Sequence, residues 1–290
     1  MSDDDQLRAA VGTQLAALCS EGGVLRSESP ASTKLRYRIN DPSRTKFHRQ
    51  VFADYLATND GPAENGSAIV MAGVPGAGKS TMLKNRVDDL GGYRLLDADI
   101  VKVPLIERAL TDGIYDDLLG RTLADGHTIA PMELAALVHR ESTDLIDIIR
   151  EDCLSRRENV IIEGTLTWPG QGETVFDQLA AAGYSRIIVL GVEVEPRIAH
   201  HQATSRWWEG RRAWCSGENA LGGRFTPPYA IDDGYDSGVM SRCSRHALRI
   251  LDRARGGEID LVDVTIYSPS GFGQYEVVAE GKNPEIIAPH

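Results

Sequence analysis

The chain has 290 residues, of which 42% are apolar and 25% charged, and its formal net charge is −11. This composition predicts one large globular domain or a domain with an appendage. The acidic balance disfavours nucleic-acid partners and anionic membranes, because the field of the protein would repel polyanions. Four scattered cysteines without C-x-x-C spacing indicate neither a zinc site nor a disulfide framework. Together with an acidic N-terminus and no apolar run of about 20 residues, they favour a cytoplasmic protein.

The first 60 residues are predicted to form a helical extension, and residues 61–290 a kinase domain with a lid at about 204–230. Apolar spacing predicts helices over 4–21 and 47–56, separated by a loop rich in Gly, Ser and Pro. Between them, residues 34–49 carry six Lys or Arg against one acid. A solvated face is the favoured interpretation of this charge run, and an arm that touches a nucleotide or a partner is the alternative.

A phosphate-binding loop is the strongest motif. It matches G-x-x-x-x-G-K-[ST] between an apolar strand, 67–72, and a helix, 81–90. Lys79 is expected to reach the β- and γ-phosphates, and the Ser80 hydroxyl to hold Mg²⁺. The predicted nucleotide-binding residues are Gly73, Val74, Pro75, Gly76, Ala77, Gly78, Lys79, Ser80 and Thr81.

Further apolar strands are predicted over 93–96, 159–162, 186–194 and 261–267, alternating with helices over 141–153, 174–182, 197–208 and 240–255. A possible edge strand covers 275–279, and residues 209–238 resemble a long mobile loop. This alternation predicts an α/β fold with a doubly wound, mainly parallel, five-stranded sheet that has helices on both faces.

Three carboxylates follow predicted strands, where a doubly wound sheet binds its ligands. Asp97 and Asp99 follow the second strand and Glu163 the third. One carboxylate would hold Mg²⁺ or its waters, and another would accept the proton of an attacking hydroxyl. Asp99 is the candidate base, although it is also placed to cap the next helix. Glu163 needs a partner such as Lys79, a metal-bound water or a substrate hydroxyl, or else a structural hydrogen bond.

Arginines in or beside the predicted lid would stabilise the charge of a transferring phosphoryl group. Arg206 and Arg224 are the candidates, whereas Arg211 and Arg212 are interpreted as plain surface. A second set shares one face of the helix over 240–255 and is interpreted as a solvated stripe: Arg242, Arg245, Arg249 and Arg253.

Five stretches resemble, in their order and spacing, the zeta toxin family of P-loop kinases, relatives of chloramphenicol phosphotransferase and nucleoside-monophosphate kinases. The stretches are 73–81, 96–102, 139–142, 159–165 and 224–227, the last following a helix that contains Arg206. The resemblance implies transfer of the γ-phosphate of ATP or GTP to the 3′-hydroxyl of UDP-N-acetylglucosamine or a related UDP-sugar. It implies Asp99 as base, Lys79 on the phosphates and Arg206 with Arg224 in the lid. The residues expected to contact substrate are Asp97, Glu141, Asp147, Glu163, Thr165 and Thr167.

Within that set, Asp147 and Glu141 are rival positions for one sugar-binding carboxylate of the family. Thr167 stands where the family has a substrate-binding arginine, which favours a metabolic or resistance kinase with another hydroxyl substrate as the alternative function. Family members are silenced by a small antitoxin protein, so such a partner is possible, and residues 1–60 would be a built-in version of it. A nucleotide-dependent switch and a polynucleotide kinase are the further alternatives, disfavoured by the paired carboxylates and by the acidic charge respectively.

Overall fold

The computed structural model of the chain describes residues 2–38, 40–58, 61–271 and 273–283. The helices run in the order α1 (Asp3–Cys19), α2 (Thr33–Arg36), α3 (Pro42–Ala57), α4 (Lys79–Arg86), α5 (Ala98–Thr111), α6 (Asp116–Leu119), α7 (His139–Ser155), α8 (Gln171–Ala181), α9 (Pro196–Cys215), α10 (Pro228–Asp232) and α11 (Arg242–Ala254). The strands are β1 (Ser67–Ala72), β2 (Arg94–Leu96), β3 (Val160–Ile162), β4 (Arg186–Val192), β5 (Leu261–Gly271) and β6 (Gln274–Asn283).

The chain forms two compact units. The helical unit comprises Met1–Ala57, Ala98–Asp147 and His201–Pro228. The sheet unit comprises Thr58–Asp97, Ile148–His200 and Tyr229–His290. The division predicted at residues 60 and 61 stays a prediction, and residues 59 and 60 lie outside the described residues.

All six strands belong to one sheet in the order β2-β3-β1-β4-β5-β6. The first five are parallel, and β6 runs antiparallel to β5. Every residue of β1 is buried, as an inner strand between β3 and β4 requires. The α/β, mainly parallel fold is confirmed, but the sheet has six strands where five were predicted. The predicted edge segment over 275–279 is the middle of a longer strand, which alternates in exposure and so carries a weaker apolar signal.

In the sheet unit, α4 packs against β4, while α11 packs against α8, β4, β5 and β6. The arginine stripe of α11 lies away from the buried side of that helix. Arg249 is exposed, and Arg245 forms an ion pair with Asp236 at 2.5 Å. The predicted solvated face is therefore right for Arg249, whereas Arg242, Arg245 and Arg253 are half-buried and form ion pairs.

In the helical unit, α1 buries Val11, Leu15 and Cys19, and the Asp4 carboxylate accepts a hydrogen bond from the Trp208 indole N–H at 3.1 Å. The predicted loop over 209–238 was wrong at its start. Helix α9 continues to Cys215, and α10 forms within the remainder. Spanning a membrane would take a longer and more apolar helix than any among the described residues.

Candidate active site

The phosphate loop adopts the backbone that the motif requires. Between β1 and α4 the chain turns through Gly73, Gly76 and Gly78, all with positive φ. A Cβ on Gly73 would lie 2.8 Å from the Val192 carbonyl oxygen, so this position excludes any larger residue. The loop leads directly into α4, whose first N–H groups have no acceptor within the helix and carry the positive end of its dipole. The loop is therefore built to bind an anion such as phosphate.

Lys79 lies inside this loop. Its ammonium group donates to the Gly73 carbonyl at 2.9 Å and lies 3.5 Å from a Glu163 carboxylate oxygen. The side chain is about 10% exposed. Lys79 was one of the partners expected for Glu163, and the structure places the two side chains close together. A phosphate that entered the loop would meet an ammonium group already held over it by backbone oxygens.

One small cavity of about 170 Å³ is lined by residues of α4, by β2 with the residues around it, and by β3 with Glu163 after it. Beside apolar residues, Tyr93 and Lys84, its lining includes the Ser80 hydroxyl of α4 and two carboxylates that follow strands, Asp97 after β2 and Glu163 after β3. A hydroxyl and two carboxylates are hard oxygen donors, the type that Mg²⁺ prefers. The residues that the sequence placed on separate strands therefore share one pocket of the sheet unit.

The segment after Glu163 is strained and tied to the loop. Thr165 accepts a hydrogen bond from the Gly73 N–H at its carbonyl, at 3.1 Å. Leu166, buried, has φ of 56°, a left-handed conformation that costs a non-glycine residue free energy. This kink orients Thr167, whose hydroxyl lies 3.5 Å from the Cys243 thiol. Thr167 is thus half-buried and paired with a residue of α11.

Asp99 lies in the helical unit at the start of α5, where it is held by two cations. The Lys102 ammonium approaches it at 2.8 Å and the Arg224 guanidinium at 2.6 Å. Burial alone would raise the pKa of Asp99, but these charges outweigh it and lower the pKa to about 2. The sequence analysis predicted that Asp99 and Arg224 belong to the same active site, and in the structure the two side chains are in contact. Arg206 is exposed on α9 and adds to the same field.

Glu141 is buried on α7 and neutralised. Arg44 donates to both of its carboxylate oxygens at 2.7 Å, and His48 lies 2.6 Å away. Burial would raise the pKa of Glu141, whereas hydrogen bonds from His48 and Arg44 lower it to about 2. The solvated face predicted for residues 34–49 is therefore wrong at Arg44, although Lys34, Arg38, Lys46 and Arg49 are exposed. Asp147, the rival of Glu141, is half-buried on the same helix.

Arg211 corrects the sequence interpretation most clearly. It was expected at the surface, yet its side chain is fully buried between Glu133 at 2.8 Å and Asp125 at 2.7 Å. Glu133 also accepts from the Trp207 indole at 2.9 Å. Its neighbour Arg212 is exposed, as expected. Helices were predicted from the spacing of apolar residues, and a buried arginine does not count as apolar. The apolar spacing therefore stops before Arg211, and α9 was predicted to end too early.

Sequence analysis did not single out the partners of the candidate carboxylates, among them Lys102 beside Asp99 and Arg44 beside Glu141. Lys102 lies in the stretch 96–102 and had no predicted role, although its spacing of three residues from Asp99 on a helix predicts an ion pair. Arg44 carried no signal that singled it out from the other bases around it. Its partner lies far along the chain, so only the fold reveals the pair.

Comparison with known proteins identifies one family model, Zeta toxin, which matches residues 119–269. The match contains Glu141, Asp147, Glu163, Arg206 and Arg224, and it begins after the phosphate loop and Asp99. A curated relative, the calmodulin calcium-dependent NAD kinase of Arabidopsis thaliana, is 34% identical over 101 residues. That stretch covers 34% of this chain and only 18% of the plant protein.

Two solved structures share the fold. One comes from the PezAT chromosomal toxin–antitoxin system of Streptococcus pneumoniae, with a TM-score of 0.55, 13% identity and coverage of 84% of this chain and 82% of that chain. The other is the AvrRxo1-ORF1:-ORF2 complex with ATP, with a TM-score of 0.58, 13% identity and coverage of 83% and 68% respectively. At these identities the likeness concerns the fold alone.

Proposed function

The chain belongs to the Zeta toxin family, and from that premise we propose that it is a kinase that transfers the γ-phosphate of ATP or GTP to a hydroxyl of a small molecule. The observation that carries the proposal is the cavity at the strand ends, where Ser80, Asp97 and Glu163 meet beside the phosphate loop. A nucleotide-dependent switch would need the loop, but it would not need a further carboxylate such as Asp99 to take a hydroxyl proton.

The donor half of the reaction rests on the sheet unit. Loop N–H groups and Lys79 would hold the phosphates of the nucleotide and stabilise negative charge on the transferring group. Ser80, with Asp97 and Glu163, provides the oxygen donors that fit Mg²⁺. When bound, Mg²⁺ neutralises charge on the phosphate oxygens. Glu163 would keep the Lys79 ammonium group oriented, since the two groups already lie 3.5 Å apart.

The acceptor half rests on Asp99. Its carboxylate would take the proton of the attacking hydroxyl as the new O–P bond forms and the bond from the γ-phosphorus to the β-phosphate oxygen breaks, which releases ADP or GDP. A base with a pKa of about 2 is weak. We infer that Arg224 leaves Asp99 for the transferring phosphoryl group, which would raise the pKa of Asp99 as the substrate reacts.

The first candidate acceptor is the 3′-hydroxyl of UDP-N-acetylglucosamine or a related UDP-sugar, as the family resemblance implies. Asp147, Glu141, Thr165 and Thr167 are the proposed contacts. The protein would then be a cytoplasmic toxin, and an antitoxin would be its partner, as the toxin–antitoxin context of PezAT suggests. Thr167 in place of the family's arginine argues for a different hydroxyl substrate, and a kinase without a toxin role is the alternative.

The second candidate acceptor is NAD. It is favoured by the stretch of 101 residues that is 34% identical to a plant NAD kinase. NAD and UDP-sugars share a diphosphate bridge and sugar hydroxyls, so one kinase scaffold suits either class.

The decisive experiment is mass spectrometry of UDP-N-acetylglucosamine, other UDP-sugars, NAD and a hydroxyl-metabolite panel, each incubated with the protein and MgATP or MgGTP. We expect a product heavier by one phosphoryl group from one acceptor class, and no product with the Lys79→Ala variant. A product from NAD but not from UDP-sugars would replace the first candidate by the second. ATP binding without any phosphorylated product would contradict the kinase proposal. Growth arrest on expression, relieved by Lys79→Ala, separates the toxin from a metabolic kinase.

A further inference from the structure

A second cluster of ligand-type side chains lies in the helical unit. The turn over residues 122–128 carries Asp125 and His127, and α9 ends at Cys215. One ligand atom from each of these three residues lies within 4.8 Å of the other two. We propose that the three side chains, the Asp–His–Cys cluster, bind one divalent ion of the zinc type.

Local structure brings Asp125 and His127 together. Thr122 and Thr128 form an antiparallel bridge, and the Leu123 N–H donates to the His127 carbonyl at 2.8 Å. Gly126, with φ of 79°, provides the left-handed turn between the two ligands. The turn therefore presents an imidazole and a carboxylate side by side.

Asp125 is held in place by hydrogen bonds that still leave it room to bind a metal. Its carboxylate accepts from Arg211 at 2.7 and 2.8 Å and from the His127 backbone N–H at 3.2 Å. An ionised carboxylate has about four lone-pair sites, so one remains for a metal. Arg211 is itself fixed by Glu133. Such hydrogen bonds orient a ligand in the way that the surroundings of protein metal sites commonly do.

The surroundings suit a cation. His127 and Cys215 line a cavity of about 610 Å³ together with two acids, Glu209 and Glu218, and one base, Arg212. Cys215 is the last residue of α9, where the helix dipole favours positive charge. The cavity also leaves room for a water molecule in a fourth coordination position.

The donor set selects the metal. A thiolate, an imidazole and a carboxylate suit Zn²⁺ or Co²⁺, whereas Mg²⁺ takes oxygen ligands alone. On binding, the Cys215 thiol would lose its proton to solvent, so the affinity should rise with pH. The ion would join the turn over 122–128 to the end of α9, the helix that carries Arg206. Cysteine spacing gave no sign of such a site because its ligands are a mixed set from distant parts of the chain.

The experiment uses the full-length protein after chelator treatment and dialysis. ZnCl₂ is titrated in competition with a chromogenic chelator, and CoCl₂ is titrated with absorption spectroscopy. We expect one equivalent of tightly bound metal and a near-ultraviolet charge-transfer band from thiolate to Co²⁺. Cys215→Ser should abolish the band, and Cys215→Ser and His127→Asn should each weaken Zn²⁺ binding by about tenfold or more.

Matched controls are Cys153→Ala, a buried cysteine of the sheet unit, and His201→Asn, an exposed histidine of α9. Both should bind as the unchanged protein does. Circular dichroism of each variant shows whether the fold is retained, and His127→Asn changes an exposed side chain. Absence of Zn²⁺ binding, or binding that survives Cys215→Ser with no thiolate band, would overturn the proposal.

Discussion

The phosphate loop of the sheet unit and the carboxylates of the helical unit position charge by different means. The loop uses backbone N–H groups and glycine turns between β1 and α4, with Lys79 held by a carbonyl oxygen. The helical unit uses pairs of side chains: Asp99 with Arg224, Glu141 with Arg44, and Glu133 with Arg211. In the loop, the local backbone conformation positions the N–H dipoles. In the helical unit, the fold brings together charged side chains from distant parts of the chain.

This difference has consequences for how each region responds to change. Backbone dipoles do not titrate, so the loop should keep its shape over a wide pH range. A carboxylate paired with an arginine loses the attraction between the two charges once the carboxylate is protonated. Removal of either member leaves the other as an unpaired buried charge. We therefore expect removal of the Lys79 side chain to affect activity more than stability, and substitutions of the buried pairs to affect the fold.

The largest effect is expected at Lys79. Lys79→Ala removes the only side-chain cation of the loop, and should lower phosphoryl transfer to the acceptor found in the panel by about 10³-fold or more. The free energy of unfolding, from urea titration, should change little. The control is Lys46→Ala, an exposed lysine of α3, with full activity expected. Substantial turnover by Lys79→Ala would refute the assignment of the loop.

Asp99→Asn tests the proposed base. It keeps the shape of the side chain but cannot take a proton, so we expect a loss of about 10² to 10⁴-fold in kcat. Binding of a fluorescent ATP analogue should be unchanged, because Asp99 acts on the acceptor. Asp144→Asn, on the exposed side of α7, is the matched control. Full activity of purified Asp99→Asn would exclude Asp99 as the base.

Arg211→Ala and Arg212→Ala compare a buried and an exposed member of the same helix. Loss of Arg211 leaves Glu133 buried without its cation, which should lower the free energy of unfolding by about 3–5 kcal/mol. Arg212→Ala should change it by less than about 0.5 kcal/mol. Urea unfolding followed by circular dichroism measures both. Equal effects for the two variants would contradict the role given to the buried pair.

The pH dependence of stability tests the Glu141–Arg44 pair. In the folded protein the pKa of Glu141 is about 2, below the ordinary value of 4.5. The stabilisation that the pair gives to the fold is therefore fully present above pH 4.5 and is lost as the pH falls through about 2. That contribution is about 3 kcal/mol from the size of the shift.

Glu141→Gln should therefore flatten the fall in unfolding free energy between pH 4.5 and about 2. Asp144→Asn should leave the wild-type slope. A Glu141→Gln profile parallel to that of the unchanged protein would show that the pair does not stabilise the folded state.

The phosphate loop, the order of strands and helices, and the carboxylates Asp97, Glu163 and Asp99 were all predictable from the sequence. They depend on residues close together in the chain: glycines that permit one turn, an apolar run that forms one strand, an acid that follows it. Parallel strands then bring their carboxyl ends to one edge, which is why Ser80, Asp97 and Glu163 meet as expected.

The tertiary structure alone decided the rest. Arg44 and Arg211 look like surface residues until Glu141 and Glu133 neutralise them from distant parts of the chain. The length of α9, the sixth strand and the Asp–His–Cys cluster follow from contacts of the same long-range kind. A buried charge is stable only beside its partner, and sequence spacing does not record which distant residue that partner is.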